Sequence, residues 1–438
     1  MNINSSEARL GELTRKTFLS MWAYQNPYYT KGKELCDVLV VFGNDVIIMS
    51  DKLINFDESA RRDVAWKRWY RKAVAGSIRQ LRGALGQIRK SPDSIYSDAN
   101  ASAPFPLRLP RVDEARFHLV AIANGTEKIC ASTFGCPGLR IDTRCSDDQL
   151  QLTVGVNYPE FVHVISKSAL NAIFDCFDTA RDLIDYLERK QEAFLGDTGF
   201  LIEGEENLVA AYMLSQKGNR QFRIPHESFP IESDVHVVRS GIWTAYVKSD
   251  ELRARAKIRN FSYIIDQLIE HIAHEYRKGA LLIGQDQAIS YHEEHFRLMA
   301  SESRVGRQLI AAALHDVINE DPRTFWCNIS SSLDVAGLIY VWLIYPEVPS
   351  SISDEELEHN LLRHLGEYML VAQAKFRSAT RIFGICLPNM ASTRTSRIFR
   401  VADGEVWTPK MQQIAKELEK RYGILAGLQE FTYGSRRV

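Results

Sequence analysis

The stretch that decides the fold runs from Lys33 to Lys52 and reads KELCDVLVVFGNDVIIMSDK. Two runs rich in β-branched and aliphatic residues flank a Gly-Asn-Asp turn at 43–45, and this pattern predicts a β-hairpin. Both runs are apolar on both faces, which indicates strands buried on both sides of a sheet. Because the chain folds back at the turn, we expect Asp37 and Lys52 to return to the same end of that sheet.

The bulk composition sets the protein class. A chain of 438 residues with 45% hydrophobic content is expected to be globular, with two or three domains. Its formal net charge is −1, so any electrostatic argument for a nucleic-acid partner must be local. The sequence has no apolar run long enough to span a bilayer, its first residues are polar, and its seven cysteines lack paired spacing. We therefore expect a cytoplasmic protein that makes no contact with membranes.

The hairpin belongs to an ordered series of elements. Apolar periodicity predicts a helix over 6–23 before it and a long helix from about 60 to 90 after it, followed by a buried strand over 117–125. Residues 166–320 are expected to be mainly helical, and residues 321–438 alternate between strand and helix patterns. The sequence thus predicts an α/β fold with three domains, at 1–165, 166–320 and 321–438.

Three side chains form the candidate constellation. Asp37 precedes the first hairpin strand and Lys52 closes the second, and a lysine buried beside a carboxylate is costly unless it has a task. On the long helix, Gln80 is the one large residue on a stripe of small side chains, so the helix can approach the sheet closely and aim this amide at the hairpin's open end. A carboxylate that holds a metal and a lysine that stabilises a phosphate are one such task. The alternative is a salt bridge that only closes the hairpin.

The long helix also concentrates positive charge. Ten Lys or Arg residues lie between 61 and 90 against a single acid, Asp63. Such a surface suits contacts with a phosphate backbone, although a solvated helix face is an equally good interpretation. The candidate nucleic-acid contacts are Lys67, Arg68, Arg71, Lys72 and Arg79.

The order helix, hairpin, long helix, strand, with these motif residues, resembles the PD-(D/E)XK nuclease superfamily, in particular its restriction-endonuclease-like, NERD/Mrr-type branches. The resemblance covers about residues 5–125. It implies a restriction-endonuclease-like N-terminal core in which Asp37 binds metal, Lys52 is the catalytic lysine, and Gln80 and Glu12 are the catalytic residues supplied by the two helices.

The resemblance also implies an activity. It suggests a Mg²⁺-dependent (or Mn²⁺-dependent) endonuclease that cleaves DNA, with RNA not excluded. By analogy alone, the protein would be a bacterial defence or restriction-type effector. Residues 166–438 would then serve a protein partner, sensing or homo-oligomerisation.

One position departs from the family pattern. Two residues before Lys52 the pattern requires an acid or amide, and this chain has Ser50. Asp51 is acidic, but strand parity points it to the opposite face. Glu12 or Glu34 could supply the missing metal ligand. The departure leaves two rivals open: a catalytically degenerate protein that binds nucleic acid or a partner without cutting, and a helical scaffold whose hairpin is purely structural.

Overall fold

The computed structural model describes residues 5–146, 150–156, 158–214, 231–232, 235–281 and 285–428. The fold is mixed α/β, as predicted. The chain separates into two compact units. Unit 1 comprises Met1–Ile258, Ile269–His274 and Ala288–Arg304, and unit 2 comprises Arg259–Leu268, Glu275–Gln287 and Val305–Val438. Residues 429–438 of the predicted third domain lie outside the described residues.

The first part of unit 1 follows the predicted order of elements. They are α1 (Ser5–Trp22), β1 (Ala23–Gln25), β2 (Tyr28–Thr30), β3 (Lys33–Glu34), β4 (Val38–Phe42), β5 (Asp45–Leu53), α2 (Arg62–Lys90), β6 (Arg116–Asn124), α3 (Glu127–Phe134), β7 (Arg140–Asp142), β8 (Thr153–Val154) and β9 (Val162–Ile165). The predicted first helix, hairpin, long helix and buried strand correspond to α1, β4–β5, α2 and β6.

The hairpin is confirmed. Strands β4 and β5 pair antiparallel, and the pair Phe42–Asp45 closes a two-residue turn. Gly43 occupies the first position of this turn with φ 60°, which is the backbone angle that a type II′ turn requires there. Strand β5 also pairs with β6 in parallel, so it is central in a five-stranded sheet of order β1-β4-β5-β6-β9.

Two helices cover this sheet. Helix α2 packs on β5 and β6, and α1 packs on β4 and β5. The close approach of α2 follows from its small buried residues, among them Ala73, Ser77 and Ala84. Trp69, also buried, donates from Nε1 to the carbonyl oxygens of Ile54 (2.9 Å) and Asn124 (3.2 Å). This indole therefore ties α2 to the ends of β5 and β6, where the candidate site lies.

The next part of the chain is mainly helical, as the sequence predicts, but it also contains short strands. In unit 1 its elements are α4 (Lys167–Cys176), α5 (Ala180–Phe194), β10 (Gly199–Glu203), α6 (Glu205–Leu214), β11 (Ile231–Glu232), β12 (Val235–Val238), α7 (Ile242–Val247) and α9 (Ile289–Ala300). The long helix α8 (Asp250–Lys278) has residues in both units. Strands from both sides of the predicted boundary at 165 form a second five-stranded sheet, β11-β12-β10-β7-β8. The region 166–320 is therefore not purely helical, and its sheet ties it to the first part of the chain.

Unit 2 contains the C-terminal α/β module. Its elements are α10 (Arg304–Ile318), β13 (Trp326–Ser331), β14 (Leu338–Tyr345), α11 (Asp354–Lys375), β15 (Arg381–Pro388), β16 (Ile398–Asp403) and α12 (Pro409–Tyr422), where α10 begins at the last residue of unit 1. The four strands form one sheet in sequence order, and α11 and α12 contribute to its hydrophobic core with β14 and β15. None of the described helices has the length and apolar character needed to cross a membrane.

Candidate functional site

Asp37 lies where the hairpin opens, immediately before β4, and is 7% exposed. Its Oδ2 accepts a hydrogen bond from the backbone N–H of Asp51, and its Oδ1 accepts one from Nε2 of Gln80 at 3.4 Å. The structure therefore brings together two of the predicted site residues, Asp37 of the sheet and Gln80 of α2. The structure also brings Asp51 to this site, because the backbone N–H of Asp51 donates to the carboxylate of Asp37.

Ser50, the residue that departs from the family pattern, orients the same amide. It is fully buried, and its hydroxyl lies 3.0 Å from Oε1 of Gln80, to which it donates. A second contact, of 3.3 Å, reaches the hydroxyl of Ser77 on α2. Because Oε1 of Gln80 accepts from Ser50, its Nε2 is left to donate to Asp37. The described hydrogen bonds of Gln80 thus fix the orientation of Asp37.

Asp51 points to the opposite face of the sheet, as strand parity predicts. It is 2% exposed, and its Oδ1 accepts a hydrogen bond of 2.8 Å from Nδ2 of Asn124, the last residue of β6. The same amide donates to the hydroxyl of Ser6 on α1, at 3.0 Å. Oδ2 of Asp51 accepts no hydrogen bond from the described residues. A buried carboxylate oxygen without a donor is costly, so this atom needs an explanation.

The electrostatics of this end of the sheet are dominated by negative charge. Burial raises the pKa of Asp51 to about 6; the Ser6 hydroxyl and Lys52 oppose this, and the carboxylates of Asp37 and Glu7 add to it. The pKa of Glu34 rises to about 7, first through burial and then through Asp37 and Glu7, again against Lys52. Lys52 is half-buried rather than enclosed. Among the described residues that take part in these interactions, four carboxylates therefore stand against one lysine, and negative charge predominates.

Of the two acids in the first half of α1, the structure places Glu7 rather than the predicted Glu12 in electrostatic interaction with this cluster. Glu12 has a side chain that is 68% exposed and forms a surface ion pair with Arg9 at 2.9 Å. Glu7 in the first turn of α1 is half-buried and acts electrostatically on both Asp51 and Glu34. Five residues rotate a helix by about 500°, so the two acids cannot share a face. The phase of the buried residues places Glu7, three before Leu10, on the side that faces the sheet.

The five predicted nucleic-acid contacts on α2, Lys67, Arg68, Arg71, Lys72 and Arg79, are all exposed. None of them forms an ion pair or hydrogen bond with the described residues. Other cations of this helix do have partners: Arg61 pairs with Asp63, and Arg82 pairs with Glu160. Arg68, Lys72 and Arg79 recur at helical spacing and flank the side of α2 that carries Gln80.

A second cluster of ionisable groups lies at the other end of β5. Ligand atoms of Asp45, His118 and Glu188 lie within 4.8 Å of one another, which is compact enough for a metal. However, Arg116 donates to both oxygens of Asp45 at 2.5 and 2.8 Å and pairs with Glu188 at 3.0 Å. Nε2 of His118 lies 3.0 Å from Asp45. The guanidinium already supplies the positive charge, so this cluster is explained as a structural ion-pair network.

The carboxylates around Asp37 are arranged more loosely. Among the described residues, no three of the acids Glu7, Glu34, Asp37 and Asp51 place ligand oxygens within 4.8 Å of one another.

Comparisons with family models, with curated proteins and with solved structures gave no match to this chain. The functional interpretation therefore rests on the residues themselves.

Proposed function

We propose that this protein is a Mg²⁺-dependent nuclease that cleaves DNA phosphodiester bonds at the Asp37 end of the first sheet. The observation that carries the proposal is the excess of negative charge there: among the described residues, the carboxylates of Glu7, Glu34, Asp37 and Asp51 act together with one lysine, Lys52. Carboxyl groups with raised pKa values, such as Glu34 and Asp51, cluster at functional sites. A divalent cation would remove their mutual repulsion.

The donor types fit such a metal, but the oxygens of these acids lie farther apart than in a closed metal site, so the ion would have to draw them together. All the donors are carboxylate oxygens, which hard cations such as Mg²⁺ and Mn²⁺ prefer. Oδ2 of Asp51 is buried without a hydrogen bond from the described residues, as expected of an atom meant for a ligand. Asp37, Asp51 and Glu34 would hold the ion, with Glu7 adding negative charge from α1. The bound ion would supply a water molecule of lowered pKa.

The chain's own groups would then act on the phosphate. Lys52 is half-exposed beside Glu34 and Asp51, so its ammonium can meet the negative charge that develops on a phosphate under attack. Gln80 and Ser50 form the relay of hydrogen bonds that keeps Asp37 in one orientation. The unpaired cations of α2, on the helix that carries Gln80, would bind the phosphate backbone of DNA, or of RNA.

The second candidate is a protein of the same fold that binds nucleic acid or a partner without cutting it. Two observations favour it. Ser50 replaces the acid of the family pattern and is fully used by Gln80 and Ser77. The carboxylates around Asp37 also lie farther apart in the described structure than those of a closed metal site.

A cutting assay separates the two candidates. Supercoiled plasmid is incubated with the parent protein in Mg²⁺, in Mn²⁺ and in EDTA, alongside Asp37→Asn and the surface control Glu12→Gln. The nuclease proposal requires metal-dependent cutting by the parent and the control, and none by Asp37→Asn. A salt-sensitive mobility shift without cutting in either metal supports the binding protein. If the parent protein neither cuts the plasmid nor shifts its mobility, the hairpin has only a structural role.

The wider role of the protein is proposed by analogy. A nuclease domain joined to a larger region without motifs fits a cytoplasmic bacterial defence or restriction-type effector. Residues 166–438 would supply the contacts for a protein partner or for a second copy of the chain. Loss of protection against phage on Asp37→Asn substitution in the native host would support this role, and unchanged protection would contradict it.

A further inference from the structure

The short hairpin that leads into the candidate site carries two lysines. Strands β2 and β3 pair antiparallel, with Tyr28 opposite Glu34 and Thr30 opposite Lys33. The turn between them contains Lys31 and Gly32, the latter at φ 70°. Lys31 and Lys33 are both exposed, and neither forms an ion pair or hydrogen bond with the described residues. The strand that carries Lys33 ends at Glu34, one of the site carboxylates.

A structured loop holds this hairpin in place. Tyr28 and Tyr96 exchange two backbone hydrogen bonds, of 2.8 and 2.7 Å, and the N–H of Gly32 donates to the carbonyl of Ala99 at 2.8 Å. The loop itself is fixed by Asp98, whose carboxylate accepts from three backbone N–H groups and one hydroxyl between residues 100 and 103. The Ser- and Pro-rich segment 91–112 is thus a brace for the tip of the hairpin. A braced tip presents its lysines at a defined place.

We infer that the β2–β3 hairpin is a second nucleic-acid contact, which binds the phosphate backbone on the Glu34 side of the site while α2 binds it on the Gln80 side. The inference rests on the proposed function, since it assigns the same substrate. Its basis is the position of the two cationic elements. Gln80 of α2 donates to the carboxylate of Asp37 at 3.4 Å, and at the base of the β2–β3 hairpin the N–H of Asn26 donates to the carbonyl oxygen of Asp37 at 3.0 Å. Both elements therefore meet at Asp37.

The distances along the chain fit a phosphate backbone. Consecutive Cα atoms are about 3.8 Å apart, so Lys31 lies at most roughly 11 Å from Glu34 along the backbone. Successive phosphates of one strand rise about 3.4 Å along the axis of a duplex. The two lysines would therefore meet phosphates within about three nucleotides of a phosphate at Glu34. Such cations are needed because four carboxylates at the site repel a polyanion.

The test measures binding without cutting. A short fluorescein-labelled DNA duplex is titrated in EDTA at several salt concentrations with the parent and with Lys31→Gln combined with Lys33→Gln. Arg68→Gln with Lys72→Gln tests α2, and Lys410→Gln with Lys416→Gln, on exposed residues of α12, is the charge-matched control. If both hairpin lysines contact phosphates, the slope of log K against log salt falls by about 1.8. The control pair leaves the slope unchanged.

The outcomes distinguish this inference from the proposed function. A reduced slope for the hairpin pair, with parental thermal stability, supports the hairpin contact. A reduced slope for the α2 pair with a parental slope for the hairpin pair overturns the hairpin contact and leaves the nuclease proposal standing. A hairpin pair that changes affinity no more than the α12 control also overturns it. Absence of duplex binding by the parent at low salt contradicts both proposals.

Discussion

Each end of β5 buries an acid, and the surroundings shift the pKa values of these two acids in opposite directions. At the Asp45 end, burial alone would raise the pKa of Asp45, but hydrogen bonds from His118 and Arg116 outweigh it and hold the pKa below its ordinary value. At the Asp51 end, the pKa of Asp51 rises to about 6, because burial and neighbouring carboxylates outweigh Ser6 and Lys52. One end is a completed ion-pair network. The other carries unbalanced negative charge, and an unbalanced buried cluster persists where a ligand or a reaction needs it.

The largest expected effect concerns catalysis at the unbalanced end. Asp37→Asn and Lys52→Gln should each lower the rate of metal-dependent plasmid cutting by about 10²-fold or more, the scale of losing one preorganised charge. Asp45→Asn at the opposite end is the matched control, since it also neutralises a buried acid of the same hairpin. It should lower thermal stability and leave the cutting rate of the folded protein unchanged. Parental cutting by Asp37→Asn or by Lys52→Gln would place the site elsewhere.

The second prediction concerns stability against pH. A carboxyl with a raised pKa binds its proton more tightly in the folded than in the unfolded chain, so it lowers stability as pH rises from about 4 through the folded pKa. Asp51 contributes such a loss up to about pH 6, and Glu34 up to about pH 7. Asp51→Asn should therefore be more stable than the parent at pH 8, by on the order of 2 kcal/mol, and the difference should shrink toward pH 4.

Urea denaturation in EDTA at several pH values measures this difference. Asp45 supplies the opposite sign: its pKa is lowered, so its contribution is present at neutral pH and is lost as pH falls below about 4. Mg²⁺ should stabilise the parent more than Asp51→Asn, because a ligand that binds only the folded state raises its stability. If Asp51→Asn is less stable than the parent at pH 8, the conclusion that negative charge at this end destabilises the folded protein is wrong.

The sequence predicted the local elements around the site well. The Gly43 turn, the two apolar runs and the long amphipathic helix each carry strong local signals, and the structure confirms the elements they indicate. Most of the second sheet of unit 1 escaped prediction, because strands such as β7, β11 and β12 are two to four residues long. Such strands form through pairing with distant partners, and this leaves no periodic pattern in the sequence.

The site was predicted only in part, for two physical reasons. The resemblance implies Glu12, whereas the helical phase of Leu10 places Glu7 on the side of α1 that faces the sheet, so this signal is present in the sequence. Asp51 was set aside by strand parity, and its side chain does point to the other face. Strand parity assigns each side chain to one face of the sheet. At the end of the sheet, however, side chains from both faces can border the same opening. The backbone of Asp51 also reaches Asp37, which parity does not describe.

The third prediction compares the two acids of α1. Glu7→Gln should weaken the binding of Mn²⁺ by about tenfold, because it removes a half-buried charge that acts on both Asp51 and Glu34. Glu12→Gln should bind Mn²⁺ like the parent, since Glu12 is exposed, screened and paired with Arg9. Isothermal calorimetry of the two variants measures both affinities. Equal losses in the two variants would restore Glu12 as a candidate.

The smallest expected effect is at Ser50. Ser50→Ala removes the hydrogen bond to Oε1 of Gln80, but this amide is half-exposed and water can replace the lost donor. The net cost of about 1 kcal/mol corresponds to about a fivefold slower reaction at most. Measured cutting rates and Mn²⁺ affinities should both stay within that range. A hundredfold loss would mean that Ser50 does more than orient Gln80.

Ser50→Glu tests whether the missing acid has been replaced from elsewhere in the chain. Position 50 is fully buried, and its side chain faces Oε1 of Gln80. A glutamate carboxylate there would face this oxygen, which is also an acceptor, and the two would repel each other. The amide of Gln80 could rotate to present its NH₂ group instead, but it would then lose its hydrogen bond to Asp37. If Asp51, Glu34 and Glu7 already supply the ligands, the added charge is surplus and Ser50→Glu should cut no faster than the parent. The contrary result is specific: no Mn²⁺ binding by the parent, with binding gained by Ser50→Glu, would identify a degenerate site. In that case the Asp45 end of β5 would be a structural ion-pair network and the Asp51 end a former active site. The protein would then act by binding alone.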